Sequence, residues 1–548
     1  MTYKISARMK TIKKIWLTIL IIIIITPLFS QSREFRTARS LEVQTAVLRE
    51  LSALYVDSVD LEKLIRTGID AMLESLDPYT VFIPEEDEEN LRLMTTGSYG
   101  GIGAVIRKVE GGILIAEITE NSPAAKVRLA AGDTIIMVGG RTTAEMTTDS
   151  CSALMKGVPG SSVTLKVRKL RGGKDQEYNI VRDKIHFPNV AYSAMIEDTV
   201  GYIRISGFTV GAAKEVKKAL LALKNQPGLK RVLIDLRGNG GGLLDEAVGI
   251  VSLFVPRGTP VVTARGRIRQ ADMDYNTKEE PVDTLIPLVV LVNSGSASSS
   301  EIVAGALQDL DRATIAGTRT FGKGLVQSIR DLGYNNTIKL TTAKYYTPSG
   351  RCVQAIDYSV RNQDGSVGYI PDSLRKSFKT LKGRTVYDGG GITPDVAIEA
   401  KSYSRPALSL VYEEILSEYS LLYYRDHDSV ANPSHFTLTD PEYEEFIKYA
   451  VTKEFDNRSG SEVEFDKFLA IAAKESFYSE NKKEIDQLSS RIKLGKEAAL
   501  RREAAEIRSL LEEEISSRYY FQTGRIKSIL RNDTQALEAC RVKLNVSL

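Results

Sequence analysis

Histidine and cysteine are scarce in this chain of 548 residues, with three of each. The shortage of histidine weighs against the commonest activator of a nucleophilic serine. His186 lies between apolar Ile185 and Phe187 ahead of Pro188, and His427 and His435 sit in a polar C-terminal stretch far from any glycine-rich turn. The scattered Cys151, Cys352 and Cys540 form neither a disulfide framework nor a metal-ligand cluster, so no metal or other cofactor is expected. A net charge of only +3 excludes the strong basic bias of a nucleic-acid partner. The remaining composition, 43% hydrophobic and 26% charged, is that of globular domains, and the length predicts three or four of them.

The most informative stretch is Pro287 to Asp309, PLVVLVNSGSASSSEIVAGALQD, where an apolar strand enters a Ser/Gly turn and continues as a helix. Such a turn exposes a hydroxyl beside the unpaired N–H groups of a helix start. Ser296, Ser298, Ser299 and Ser300 all compete for the role, and spacing alone does not rank them. A base is available in Lys323, 25 residues beyond Ser298 and flanked by Gly322 and Gly324. A lysine accepts a proton only where burial or nearby positive charge depresses its pKa, and Phe321, Leu325 and Val326 offer the apolar surround. Gly317 to Gly324, GTRTFGKG, also approximates a phosphate-binding loop. It lacks the final Ser or Thr, and the chain beyond it reads as strand rather than helix, which argues against nucleotide binding.

Three separated runs, VLIDLRGNGGGLLDEAV, GSASSSEIVAGALQD and GTRTFGKGLVQ, resemble the carboxyl-terminal processing peptidases, serine proteases with a Ser/Lys active site. The resemblance implies Ser298 as nucleophile, Lys323 as base, Gln327 as the group orienting the lysine, and Asp309 as a further catalytic candidate. Oxyanion donors are expected from the backbone of Ser299 and of Gly241, in the glycine turn after the strand Arg231 to Leu236. Ser299 stands where many relatives carry alanine, and Gly240 where some carry proline.

Segment 97–172 resembles a PDZ domain, with Gly101, Ile102, Gly103 and Ala104 as its carboxylate-binding loop and a helix over Thr148 to Lys156 as the other wall. Ala153, Leu154 and Met155 are candidates for packing or for the side-chain pocket, and Lys156 occupies a position where relatives often carry a basic residue. Before it, 31–96 is a helical segment, in which Asp60 caps an amphipathic helix stopped by Asp77-Pro78 and carrying an apolar stripe that must be buried. Residues 1–30, with Lys10, Lys13 and Lys14 ahead of the apolar run Ile15 to Ile25, read as a signal peptide or membrane anchor. The protease core is expected over 173–400, including a polar insertion, Arg361 to Asp388, of the kind found in Bacteroidetes-type members. A helical extension occupies 401–548, with Asp440 as the N-cap of one helix and a long helix from Glu462 to Tyr520 ending by Gly524.

The expected fold is therefore multi-domain α/β: a crossover α/β serine protease core with a PDZ domain and helical N- and C-terminal segments. The expected activity is cleavage of exported proteins near free, apolar C-termini, in the periplasm or cell envelope, with a homodimer, an adaptor protein or an inner-membrane tether as further expectations. Two readings from other classes compete: a non-catalytic PDZ scaffold that binds C-termini, and a membrane-tethered assembly factor acting through its helical tail.

Overall fold

The computed structural model describes residues 33–362 and 365–543. The expected signal or anchor segment and its lysines lie outside them. Among the described residues, no helix is long and apolar enough to cross a membrane. The described residues divide into two compact units, one ending at Phe82 and the other beginning at Ile83.

In the first unit, Asp60 caps the helix Leu61–Glu74 by accepting from the Lys63 N–H at 3.0 Å. Asp77 then turns the chain by accepting from the N–H groups of Tyr79 and Thr80, both at 2.8 Å. The apolar stripe departs from expectation, because no residue of this helix is buried and Leu64, Ile65 and Met72 are exposed.

The second unit contains a six-stranded sheet that organises everything around it. Its order is Val190–Ile196, Val200–Ile205, Arg231–Asp235, Leu288–Val292, Thr314–Gly317 and Val396–Ala397; the first pair is antiparallel and the rest are parallel. Parallel neighbours need crossover connections, here including the helices Ala212–Lys224, Leu244–Ser252 and Ser299–Asp309. All five residues of Leu288–Val292 are buried, as expected for a central strand covered on both faces. Each Val or Leu so buried contributes about 1.5–3 kcal/mol relative to exposure. The helix Ser299–Asp309 is buried along its entire length, which accounts for its small residues Gly305 and Ala306.

A separate antiparallel layer contains Leu325–Gly333, Asn336–Tyr346, Pro260–Gly266 and Met273–Asn276 in that spatial order. Tyr334 and Asn335, both at positive φ, form the two-residue turn between its first two strands. Because Leu325 opens a strand, the GTRTFGKG loop does not lead into the helix that phosphate binding requires.

Segment 97–172 supplies most of another antiparallel sheet, with Ala104–Val109 at one edge followed by Gly112–Ile118, Thr134–Val138, Ser162–Arg168 and Asp175–Val181. The C-terminal part is helical but differs from expectation in detail. Thr439, not Asp440, is the N-cap, so that Asp440 and Pro441 fall in the first turn. The expected helix from Glu462 to Tyr520 is divided into Gly460–Lys474, Lys482–Ile492, Lys496–Arg502 and Ala504–Asn532, with the short turn Phe477–Glu480 between the first two. Gly524 does not end the last of these; the helix kinks at Tyr520 and Phe521 and continues. The polar tract 361–388 holds a small hairpin, Ser377–Lys379 with Thr385–Tyr387, anchored where Arg384 pairs with Asp311 and Asp395.

Candidate active site

Three turns meet at the C-terminal ends of adjacent parallel strands: Arg237–Gly242, Asn293–Ser298 and Thr318–Gly324. They are bonded together rather than merely adjacent. Asn293 Oδ1 accepts from the Gly238 N–H at 2.9 Å, and Asn239 O from the Ala297 N–H at 3.0 Å. Ser296 O in turn accepts from the Phe321 N–H at 3.0 Å.

This bonding separates the competing serines. Ser296 Oγ donates to Leu236 O at 2.8 Å, Ser299 Oγ to Gly242 O at 2.9 Å, and Ser300 Oγ to Asn239 O at 2.8 Å. Three hydroxyls are thus committed to holding the glycine turn. The Ser298 side chain, at the N-cap of the helix, instead lines a cleft. Its backbone, at φ 56° and ψ −113°, lies where non-glycine residues seldom occur; such conformations cost about 1–3 kcal/mol. A strained corner between strand and helix start is the geometry that projects a nucleophile.

Glu301 joins this corner to the lysine turn. It is fully buried, and one carboxylate oxygen accepts from both the Ser298 N–H at 2.9 Å and the Lys323 N–H at 2.8 Å. The other accepts from Thr320 Oγ1 at 2.6 Å and the Gly322 N–H at 2.7 Å. Burial pushes the carboxyl upward, while these four donors act in the opposite direction. Sequence reasoning gave Glu301 no role. The signal was present as Ser298-x-x-Glu301, the spacing in which a side chain at the third helical position reaches back to the N-cap N–H.

Lys323 is half-buried and lines the same cleft as Ser298, Ser299 and Gln327. Gln327 donates to Thr341 Oγ1 at 3.4 Å. Tyr345, fully buried below the serine, donates its hydroxyl to Ser298 O at 3.2 Å, and burial raises its pKa well above the ordinary phenol value. The expected Asp309 is elsewhere. Its carboxylate accepts from Arg351 Nη2 at 2.7 Å, the Ser349 N–H at 3.1 Å and the Thr347 hydroxyl, and it does not line the cleft.

Gly241 touches the corner, as expected, at φ +97°. A Cβ there would meet Ala297 O at 2.7 Å, Ser298 Cβ at 2.8 Å and Ser299 N at 2.9 Å, so only glycine fits. Its N–H, however, donates to Asn239 Oδ1 at 2.9 Å, and it must leave that acceptor to serve an oxyanion. Gly241→Ala is expected to lower kcat/KM at least about a hundredfold by displacing the Ser298 corner; a rate within twofold of wild type would remove this glycine from the site.

Comparison with known sequences places these elements in a family. The pattern of Peptidase family S41 matches residues 199–361, that of a PDZ domain 100–181, and that of a probable PDZ-protease C-terminal helical domain 407–542. The carboxy-terminal-processing protease of Bartonella bacilliformis is 36% identical over 338 residues, covering 61% of this chain and 77% of that protein. The chain belongs to the carboxy-terminal-processing protease family. The Synechocystis carboxyl-terminal-processing protease is also 36% identical, over 363 residues that cover 63% of this chain and 81% of that one. Among solved structures, a photosystem II D1 C-terminal processing protease is 28% identical, with 65% of this chain and 92% of that chain covered and a TM-score of 0.33.

As a member of this protease family, the chain is a serine-type peptidase carrying a PDZ domain and a C-terminal helical domain. In the PDZ domain, Gly101 ends one strand, Gly103 turns at φ +79°, and Ala104 opens the edge strand beside the helix Thr148–Met155. Gly103 has no room for a side chain, since a Cβ would approach Ser122 Cβ to 2.3 Å. Met155 is buried in the domain core, Leu154 partly so, and Ala153 is exposed. Lys156 lies 4.0 Å from Glu89 and over the Tyr99 ring.

The helical domain of this protease reaches both neighbours. Arg518, nearly buried, donates to Ala116 O of the PDZ sheet at 2.8 Å, and Phe521 packs against the PDZ core. At the other end Ala536, Ala539 and Cys540 cover the outer face of the parallel sheet. Asp533 there binds Arg237, which also holds Asp235 at the start of the glycine turn. Burial would raise the Asp235 carboxyl, but the adjacent Arg237 guanidinium prevails and holds it below the usual range. Neither Arg237 nor Asp533 drew attention in the sequence, because they are 296 residues apart.

Proposed function

We propose that this peptidase cleaves exported proteins near their C-termini by acyl transfer, with Ser298 as nucleophile and Lys323 as general base. Ser298 Oγ attacks the carbonyl carbon of the scissile peptide while neutral Lys323 accepts its proton. The tetrahedral intermediate collapses, Lys323 protonates the leaving amine, and water then releases the acyl group from Ser298. The Ser299 N–H and a donor from the Gly240–Gly242 turn stabilise the oxyanion, each typically contributing about 3 kcal/mol. Gln327 orients the lysine. The observation that carries this reading is the sorting of the hydroxyls: Ser296, Ser299 and Ser300 are bonded to backbone carbonyls, and Ser298 faces the cleft shared with Lys323.

In this reading the chain is divided into a signal or anchor (1–30), an N-terminal helical segment (31–96), a PDZ domain (97–172), a protease core (173–400) and a helical extension (401–548). Gly101 to Ala104 receive a free, apolar C-terminus, and the peptide adds as a strand beside the edge strand Ala104–Val109. The basic and apolar pattern of the first thirty residues supports export to the periplasm or cell envelope.

The test is to incubate protein lacking residues 1–30 with an unfolded protein ending in apolar residues and to follow cleavage by intact mass. Ser298→Ala and Lys323→Ala are each expected to abolish cleavage while retaining binding. Binding of C-terminal peptides by all forms, with cleavage by none, would instead favour a PDZ scaffold.

A further inference from the structure

The cleft contains a second lysine to which the reaction above assigns no task. Lys339 lines it from the strand Asn336–Tyr346 and is directly opposite Ile329 in the neighbouring strand, another lining residue. Leu325 and Val326 both reach the cleft at a bulge between Val326 and Gln327, and Gln327 and Ile329 alternate beyond it, so Lys339 lies on a continuous lining that starts beside Lys323. Lys339 is half-buried, and its ammonium has no ion pair or hydrogen bond to a side chain among the described residues. Burial depresses its pKa, with no opposing contribution from a carboxylate. The exposed Arg330 next to Ile329 points to the other face of the sheet by strand alternation.

A partly desolvated ammonium without an anion is costly, and a carboxylate delivered by a ligand removes that cost. An extended substrate in the cleft rises at the same rate per residue as the strand lining it. Ile329 is six residues beyond Lys323, so Lys339 is about 13–20 Å along the cleft, four to six substrate residues from the bond cut.

Resting on the Ser298/Lys323 reading, we propose that Lys339 forms a carboxylate-binding subsite of the cleft, which takes an acidic side chain or the chain terminus of the substrate four to six residues from the scissile bond. This subsite selects substrates by charge at a fixed distance from the cut. It is separate from the PDZ loop, which binds through backbone N–H groups.

The test uses the full chain with Ser298→Ala, so that binding is read without turnover. Labelled peptides ending in apolar residues carry a single Glu or Gln scanned along their length, each made as free acid and as C-terminal amide. The expected result is about tenfold tighter binding for Glu over Gln at one position in the four-to-six window. That ratio should fall to near one with Lys339→Met and reverse in favour of Gln over Glu with Lys339→Glu. The PDZ loop itself favours a free acid over an amide, so the subsite is assigned to the chain terminus only if part of the free-acid preference is lost with Lys339→Met. If no position shows a preference for Glu and no part of the free-acid preference depends on Lys339, or if the Glu preference survives Lys339→Met, the proposal is overturned. Failure of the underlying reading has a different signature. Glu-selective binding that depends on Lys339, with no cleavage of any peptide by the wild-type chain, would retain the subsite and refute the peptidase assignment of Ser298.

Discussion

Glu301→Gln should lower kcat/KM by about a hundredfold while leaving the protein folded. The carboxylate offers two acceptor oxygens to four donors, and the Ser298 and Lys323 backbones share one of them. An amide retains one acceptor and places an NH2 against donors on the other side. Whichever way it turns, two buried donors lose their partner, at about 1–3 kcal/mol each. Either the serine and lysine backbones separate or the Thr320 and Gly322 contacts break, and the lysine turn moves in both cases. Steady-state kinetics and a thermal melt check this together. Activity within twofold of wild type would show that Glu301 does not set the distance between the two turns.

Asp309→Ala is the other large effect, and it is expected on stability. Asp309 and Arg351 form an ion pair with both side chains almost wholly buried, 0% and 1% exposed. Arg351 also donates to Gln308 Oε1 at 2.7 Å, while its Nε has no partner among the described residues. Removing the carboxylate leaves an uncompensated buried guanidinium, which costs about 3–5 kcal/mol. Denaturant unfolding measures it. The double variant Asp309→Ala with Arg351→Met should recover most of the loss, because the orphaned charge is then gone. A catalytic Asp309 predicts the opposite pattern: unchanged stability, a lowered kcat, and no rescue by the second substitution.

These two carboxylates show what the sequence could and could not reveal. Strands and helices of the core were legible because apolar runs such as Leu288–Val292 and the Gly-rich turns after them are local signals. The cleft residues Ser298, Lys323 and Gln327 were legible through motifs, and the structure brings all three to one lining. Asp309 was a catalytic candidate through the family resemblance alone. Spacing along a buried helix does not say which end a carboxylate faces, and its partner Arg351 is 42 residues away. The tail was misread for a related reason. Its charge pattern continues through Tyr520 and Phe521, but Phe521 leaves the helical path at φ 54° where it packs against the PDZ core. A tertiary contact of this kind leaves no periodicity to read. The pairing of Arg237 with Asp533 is equally non-local, joining the start of the glycine turn to a segment near the far end of the chain.

Trapping the acyl-enzyme reports whether Ser298 carries the acyl group. The wild-type chain is mixed with a peptide ester, quenched rapidly in acid, and its intact mass and peptide map are recorded. A single acyl adduct on the peptide containing Ser298 is predicted, absent in Ser298→Ala and formed far more slowly in Lys323→Ala. An adduct on another residue, or turnover by Ser298→Ala at the wild-type rate, would contradict the account.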